Sequence, residues 1–220
     1  MKIGILGATG PAGSGLAVRL ASVGHQVVMG SRSKYRAMEV RDELIDSWDD
    51  YELHLEAGNN AAAADSEVIV VATPWNAAAA TVMGVADHLA GKVVISMANA
   101  LAKVHDEFQP LVPPRGSVAA SVQAALPRSQ VSAALHHVPA RELGHIAEPV
   151  ESDVLICSDH PAATAVTSEI IVGVPGLRPL DAGQLSNAAP IEAFAAVLLQ
   201  LNLRYKTRAA VRFTGLDDAV

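Results

Sequence analysis

The residues whose types and spacing most suggest chemistry stand at the start of the chain. Gly7-Ala8-Thr9-Gly10-Pro11-Ala12-Gly13 follows the short apolar run Lys2–Leu6 and leads into a helical pattern. A glycine at position 10 lets backbone come close to a phosphate, and one at position 13 lets a helix pack tightly on its preceding strand. The free N–H groups and positive dipole end of the helix favour an anion there. Gly7, Thr9, Gly10, Pro11, Ala12 and Gly13 therefore form a candidate cradle for a dinucleotide pyrophosphate. The spacing is Gly-x-x-Gly-x-x-Gly, with Ala8 at a position that is glycine in the commoner form, so an ordinary glycine-rich turn stays open as an alternative.

The next apolar run, Gln26–Met29, ends in Gly30-Ser31-Arg32, with Lys34 and Arg36 close behind. A site for a free ribose 2′-hydroxyl usually carries Asp or Glu here. A serine hydroxyl and a guanidinium fork suit a 2′-phosphate instead. Ser31, Arg32 and Arg36 thus point to NADP(H) over NAD(H), although the two arginines would equally solvate a helix start.

In an open α/β sheet, ligands sit beyond the carboxyl ends of the strands. Three segments qualify: Thr73-Pro74-Trp75, Met97-Ala98-Asn99 and His136-His137-Val138-Pro139. Thr73 and Pro74 turn the chain along the cofactor, while Trp75 either walls the pocket or anchors its helix. Ala98 leaves room for a flat ring or reflects tight packing. His136 and His137 are expected on a strand, Val131–Val138, where neighbours point to opposite faces, so no shared metal is expected. No carboxylate pair, Ser-His-Asp spacing or Cys-His cluster is present, which counts against hydrolysis. It does not count against hydride transfer, where the cofactor carries the chemistry. No obligatory acid–base residue is expected, and His136 is a candidate pocket group only.

Positioning these segments requires alternating strands and helices. Strands are expected at Lys2–Leu6, Gln26–Met29, Glu52–Leu55, Val68–Thr73, Val93–Met97, Val131–Val138, Val154–Cys157 and Leu177–Leu180. Helices are expected at Ser14–Val23, Tyr35–Trp48, Asn76–Leu89, Ser117–Leu126, after Asp159 to about Val172, and at Ile191–Arg204. The proline-bearing stretch Asn99–Gly116 reads as a loop or lid. This predicts an α/β fold, a Rossmann-type doubly wound parallel sheet with a small C-terminal α/β unit. Residues 1–150 form the NADP-binding part, and 151–220 close the cleft and contribute to dimerisation.

Composition narrows the classes. The 220 residues carry a net charge of −7, against the basic face that non-specific nucleic-acid binding needs. The single cysteine, Cys157, cannot form an intrachain disulfide and reads as a buried strand thiol. No apolar run reaches membrane-spanning length, so a cytoplasmic location is expected.

Several segments together resemble the F420H2:NADP oxidoreductases, or NADPH-dependent F420 reductases. They are Gly7–Gly10, Gly30–Arg32, Thr73–Trp75, Ala134–Val138, Gly176–Gly183, Leu185–Asn187 and Asn202–Lys206, in that order over nearly the whole chain. The resemblance implies hydride exchange between nicotinamide C4 and C5 of the deazaflavin coenzyme F420, and a homodimer. It places Ala134, His136, Val138, Pro139, Leu185, Ser186 and Asn187 beside the deazaflavin, with Thr73, Pro74, Trp75, Met97, Ala98 and Asn99 on the NADP side. Arg204, Lys206, Arg208 and Arg212 are candidate partners for the acidic tail of that coenzyme, or a solubilising helix end. The alternatives are an NADPH-dependent reductase of a flavin, imine or small carbonyl compound, and a non-catalytic NADPH-sensing module.

Overall fold

In the computed structural model, which describes residues 1–216, the alternation of apolar runs becomes one eight-stranded sheet. Its first half comprises β1 (Lys2–Leu6), α1 (Pro11–Ser22), β2 (Gln26–Ser31), α2 (Lys34–Ser47), β3 (Leu55–Asn59) and α3 (Asn60–Ala64). Then come β4 (Val68–Val71), α4 (Trp75–Met83), α5 (Ala86–Leu89) and β5 (Val93–Ser96), followed by the hairpin β6 (Leu101–Val104) and β7 (Glu107–Pro110). The remainder is α6 (Val118–Ala125), β8 (Gln130–Ala133), α7 (Ala140–Gly144), β9 (Ser152–Ser158), α8 (Pro161–Val172), β10 (Leu177–Asp181), a 3-10 turn at Leu185–Asn187 and α9 (Ala188–Tyr205).

The strand order is β3-β2-β1-β4-β5-β8-β9-β10. All neighbours from β3 to β8 run parallel, and β9 joins antiparallel to β8 at Ser132–Ser158 and Ala133–Cys157. Parallel central strands are buried on both faces, and all four residues of β4 are buried. On β1, Ile3 and Ile5 join the core of α1, α2 and α8, while Leu6 joins the core of α3 to α6. The order progresses one way from β1 to β3 and the other way from β1 to β4. That switch opens a crevice above the carboxyl ends of β1 and β4.

The structure departs from the sequence expectations at identifiable places. The presumed lid, Asn99–Gly116, contains an antiparallel hairpin with Leu101 opposite Pro110. Proline is tolerated there because it ends an edge strand, and His105 makes the turn at φ 54°. The expected strand Val131–Val138 stops at Ala133, because Leu135 takes φ 66° and Val138 N–H bonds back to Leu135 O at 3.3 Å. His136 and His137 are therefore turn residues, and the opposite-face argument does not apply. The third strand lies at Leu55–Asn59 instead of Glu52–Leu55, with Gly58 and Gly30 paired where α3 presses close. A Cβ at Gly30 would fall 2.7 Å from Ala63 Cβ. The helix expected at Asn76–Leu89 is broken near Gly84. Asp159 does not cap α8; His160 holds that position, and the Asp159 carboxylate accepts from Leu185 N at 3.0 Å.

Among the described residues no helix is long and apolar enough to cross a membrane. Cys157 is buried on β9, and burial pushes its thiol up to about 12.

Candidate functional site

The crevice begins at the glycine turn. Gly7 adopts φ 79°, and a Cβ there would meet Thr73 Cγ2 at 2.7 Å. Gly7 N and Ala8 N both donate to Gly30 O, at 3.0 and 2.9 Å, which fixes the turn against the end of β2. A Cβ at Gly13 would lie 2.8 Å from Ala8 Cα and from Gly7 O, whereas one at Gly10 would meet only Gly7 O, at 3.9 Å. Gly13 thus serves packing, and Gly10 leaves the approach open. Pro11 starts α1, whose Gly10 cap supplies no side-chain acceptor. The first N–H groups of α1 therefore face the crevice for an anion.

Ser31 and Arg32 form the far rim. Ser31 Oγ accepts from Ser33 N at 3.3 Å, and Ser33 Oγ caps α2 by accepting from Arg36 N at 3.3 Å. Arg32 is exposed and makes no ion pair among the described residues, while it lines a cavity of about 530 Å³ with Gly7, Thr9, Gly10, Ser31 and Asn60. Arg36 stands differently: its guanidinium bonds Glu39 at 2.6 Å and lies 3.8 Å from Glu43, and it does not line that cavity. Among the described residues the buried atoms Asn60 Oδ1 and Thr73 Oγ1 have no hydrogen-bond partner. Buried polar atoms are normally paired, so these point to ligand groups. An open phosphate approach, an unpaired guanidinium beside a serine hydroxyl, and no carboxylate at the rim fit NADP(H).

The next cavity along shares Gly10, Thr73 and Pro74 with the first. It measures about 380 Å³ and is bordered by Gly10, Pro11, Ala12, Thr73, Pro74, Trp75, Met97, Ala98 and Asn99. It shares Ala12, Met97 and Asn99 with a third cavity of about 580 Å³, which reaches His136, Val138 and Pro139 and lies against Ala195, Leu198 and Leu199 of α9. The structure thus brings together the glycine turn, the Thr73–Trp75 turn, the Met97–Asn99 turn and the His136–Pro139 turn. Asn99 Nδ2 donates to His136 O at 2.7 Å and ties the last two to each other.

Other expected residues fall elsewhere. Ala134 is wholly buried. Leu185 packs with Ala119, Ala133, Cys157 and Ile191, and Ser186 and Asn187 are exposed on the 3-10 turn. Asn187 Nδ2 donates to Ala182 O at 2.6 Å. None of these four lines the groove. Of the C-terminal cations, Arg208 is paired with Glu142 at 2.6 Å, and Arg212 with Glu151 and with Asp153, the latter at 3.0 Å. Lys206 alone of that group lines the third cavity without an ion pair among the described residues; Arg141, which also lines it, has none among those residues either.

Three buried charges hold this end together, and sequence reasoning missed all three. Arg19 is 2% exposed. Its five donors reach the carbonyls of Glu142, Leu143, His145, Ile146 and Glu148 at 2.7–3.4 Å, which ends α7 and secures the floor beyond Pro139. Asp153 is wholly buried and takes a two-point contact from Arg178, at 2.8 and 2.7 Å, and one from Phe213 N at 2.6 Å. These donors hold its carboxyl down to about 2. The segment after α9 is thereby clamped to β9, past the third cavity. Glu192, on the inner face of α9, accepts from Val118 N at 2.8 Å and Ala119 N at 3.0 Å, and burial pushes its carboxyl up to about 7. The signal for Arg19 and Glu192 was present: each is a lone charge in an otherwise apolar helical run.

Comparison with known proteins agrees with this geometry. Residues 2–100 match the family model described as NADP oxidoreductase, coenzyme F420-dependent. The chain is 32% identical to the F420-dependent NADP reductase of Methanocaldococcus jannaschii, over 99% of this chain and all of that one. Identity is also 32% to the protein of the same name from Methanothermobacter marburgensis, over 99% and 100%. In fold, a crystal structure from Arthrobacter sp. FB24 superposes with a TM-score of 0.82 at 23% identity, covering 97% of this chain and 100% of that one. An imine reductase from Bacillus cereus BAG3X2 gives a TM-score of 0.61 at 15% identity, over 93% and 60%. This full-length similarity establishes that the chain belongs to the family of F420-dependent NADP reductases, and the mostly parallel sheet and the glycine turn accord with it.

Proposed function

We propose that this protein transfers hydride between NADP(H) and the deazaflavin coenzyme F420. The observation that carries the reading is a row of three adjoining cavities with shared walls. They run from Arg32, without an ion pair among the described residues, beside Ser31, over the open N-terminus of α1, to the 580 Å³ cleft under α9. Arg32 and Ser31 hold the 2′-phosphate and Gly10–Gly13 the pyrophosphate. Thr73, Pro74, Trp75, Met97, Ala98 and Asn99 flank the nicotinamide, and His136, Val138 and Pro139 border the second ring. When bound, the two coenzymes supply the hydride donor and acceptor carbons. The protein's part is to hold two flat rings within about 3–3.5 Å in a site shielded from water. Met97, Leu135 and Val138 are buried and apolar along the meeting point, and Arg141 and Lys206 offer positive charge at the outer wall.

Residues 1–150 carry the NADP site in this reading, and 151–220 close the cleft; the last four residues of that unit lie outside the described residues. The protein works in the cytoplasm as a homodimer. Supporting the dimer, Phe194, Val197, Leu201 and Tyr205 form an exposed stripe along α9, near exposed Val104, Leu111 and Val112 of the hairpin region. Contiguous exposed apolar surface marks association sites.

Mixing the purified protein with NADPH and coenzyme F420 tests the function: the visible band of the deazaflavin bleaches as NADPH is consumed. Consumption of NADPH with free flavin, an imine or a carbonyl acceptor, and no bleaching with F420, would replace this reading by a different reductase on the same scaffold. Tight NADPH binding with no turnover would mark a sensing module.

A further inference from the structure

The 580 Å³ cavity changes character along its length. Its inner wall is apolar, with Met97, Leu135, Val138 and Leu198 buried there. Its outer wall carries three cations, Arg141, Lys206 and Arg208, and no carboxylate among the described residues. That is a local reversal in a chain of 23 acidic and 16 basic residues with a net charge of −7. Arg208 is engaged by Glu142 at 2.6 Å. Arg141 and Lys206 are exposed and have no ion pair among the described residues.

The chain around both cations is firmly held. Arg141 stands on α7, next to Glu142. The buried Arg19 guanidinium takes the carbonyls of Glu142, Leu143 and His145 at 2.9, 3.1 and 2.7 Å, and a Cβ at Gly15 would fall 2.7 Å from Ala140 O. This short helix therefore sits tightly on α1. Lys206 ends α9 at φ 50°, the left-handed cap where glycine or asparagine is usual. A lysine there forgoes the easy backbone and sets an amine at the cavity. Asn202 secures the turn: its backbone oxygen accepts from Thr207 N at 3.3 Å and its side-chain oxygen from Ala209 N. Arg208 then ties this segment to α7 through Glu142. The two elements that bear the unpaired cations are thus joined to each other at the outer wall.

We propose that Arg141 and Lys206 form an anion subsite that selects an acceptor with two unlike parts: a flat ring against the apolar inner wall, and an arm bearing phosphate or carboxylate groups at the outer wall. This rests on the reading of the cleft as the acceptor site, and it makes the acidic tail of coenzyme F420 part of what is recognised. A guanidinium forks onto two oxygens of one anion, and an ammonium adds a compact second charge. A ring with an uncharged chain fills the inner wall equally well but leaves both cations facing water. Because both are exposed, salt screens their attraction. The subsite sets affinity for the acceptor, and the hydride step takes place farther in.

Binding read by quenching of deazaflavin fluorescence, on the full chain with NADP+ present so that no hydride moves, tests this. The parent protein binds oxidised F420 about 10²-fold more tightly than a deazaflavin that keeps the ring and ribityl chain but lacks the phosphate and glutamates, and added salt narrows that gap. R141Q and K206Q each weaken F420 by about 10-fold, the low end for hydrogen bonds to charged groups, and leave the tail-less compound bound as before. Unchanged NADPH affinity checks the fold of each variant. A deazaflavin with the phosphate but no glutamate separates the two anions: affinity equal to that of F420 assigns the pair to the phosphate, and affinity equal to that of the tail-less compound assigns it to the carboxylates. Equal affinity of the parent for F420 and the tail-less compound overturns the proposal, as does weakening of both compounds alike in R141Q and K206Q. If that equality is found while NADPH still bleaches F420, the subsite falls and the assigned function is spared. A parent protein that prefers F420 by its tail yet never bleaches it supports the subsite and overturns the function.

Discussion

The two ends of the groove are built in different ways. The NADP end is local. The glycine turn, Ser31 and Arg32 come from two consecutive β-α units and are joined by backbone bonds such as Gly7 N and Ala8 N to Gly30 O. The cleft end is assembled from afar. Arg19 reaches residues 142–148, Glu192 reaches 118 and 119, and Asp153 gathers Arg178, Arg212 and Phe213. Backbone shape recognises a phosphate at one end; buried charges spanning the chain shape the pocket at the other. The lesson is that the cofactor end tolerates loss of a side chain, while the acceptor end depends on a few ion contacts whose removal loosens a whole wall.

The sharpest way to break this contrast is Asp153→Ala. It removes the buried carboxylate that Arg178, Arg212 and Phe213 N share and loosens the segment after α9, and losing the buried member of such a pair costs up to about 3–5 kcal/mol. Denaturant midpoints should fall accordingly while the folded fraction still binds NADPH with parental affinity. Loss of NADPH affinity in step with stability would mean the two ends are not separately built.

Next in size is the pH dependence carried by Glu192. The folded protein keeps this proton to about 7, whereas an ordinary glutamate loses it near 4.5, so the folded state binds more protons between those limits. Stability from this group is therefore fullest below about pH 4.5, falls as pH rises to about 7, and is level above, by about 3 kcal/mol. Glu192→Gln should flatten that fall in urea titrations across pH. Asp153 acts with the opposite sign. Its carboxyl is held at about 2, below the 3.8 of an ordinary aspartate, so its contribution is present above about pH 4 and disappears as pH drops toward 2.

Arg32→Ala tests the cofactor end. Loss of its charged contact to the 2′-phosphate should weaken NADPH by about 1.5–3 kcal/mol and leave NADH nearly unchanged, as read by calorimetric titration. Equal weakening of both would remove Arg32 from the site. The smallest effect is expected from Arg208→Ala. Its pair with Glu142 is half exposed, and such pairs contribute about 0–1 kcal/mol. A larger loss of stability would give the C-terminal segment a stronger clamp than Asp153 alone provides.

How much was legible in the sequence follows the same divide. The glycine turn, the Ser31-Arg32 rim and the β-branched core strand could be read because each signal lies within a few residues of its consequence. The turn at His136 could not: Leu135 carries the positive φ where a glycine would have announced it, so an apolar run was extended into a strand by five residues. Pro110, Pro113 and Pro114 suggested an irregular lid, yet Pro110 sits harmlessly at a hairpin edge. Arg36 looked equivalent to Arg32 until Glu39 and Glu43, one and two turns on along α2, were seen to occupy it. Arg208 and Arg212 read as free cations because their acids, Glu142, Glu151 and Asp153, are some 60 residues earlier in the chain. Leu185–Asn187 were placed at the cleft by resemblance, and the 3-10 turn sets them apart from its lining.

The central claim is that one groove brings the two coenzyme rings face to face. NADPH carrying deuterium at the transferred C4 position, mixed with the protein and F420 in ordinary water, tests it most directly. The account predicts that the label appears at the deazaflavin C5 in the reduced product, because the ring faces meet in a dry site. Label recovered in water, or reduction that proceeds with the two coenzymes never bound together, would contradict it.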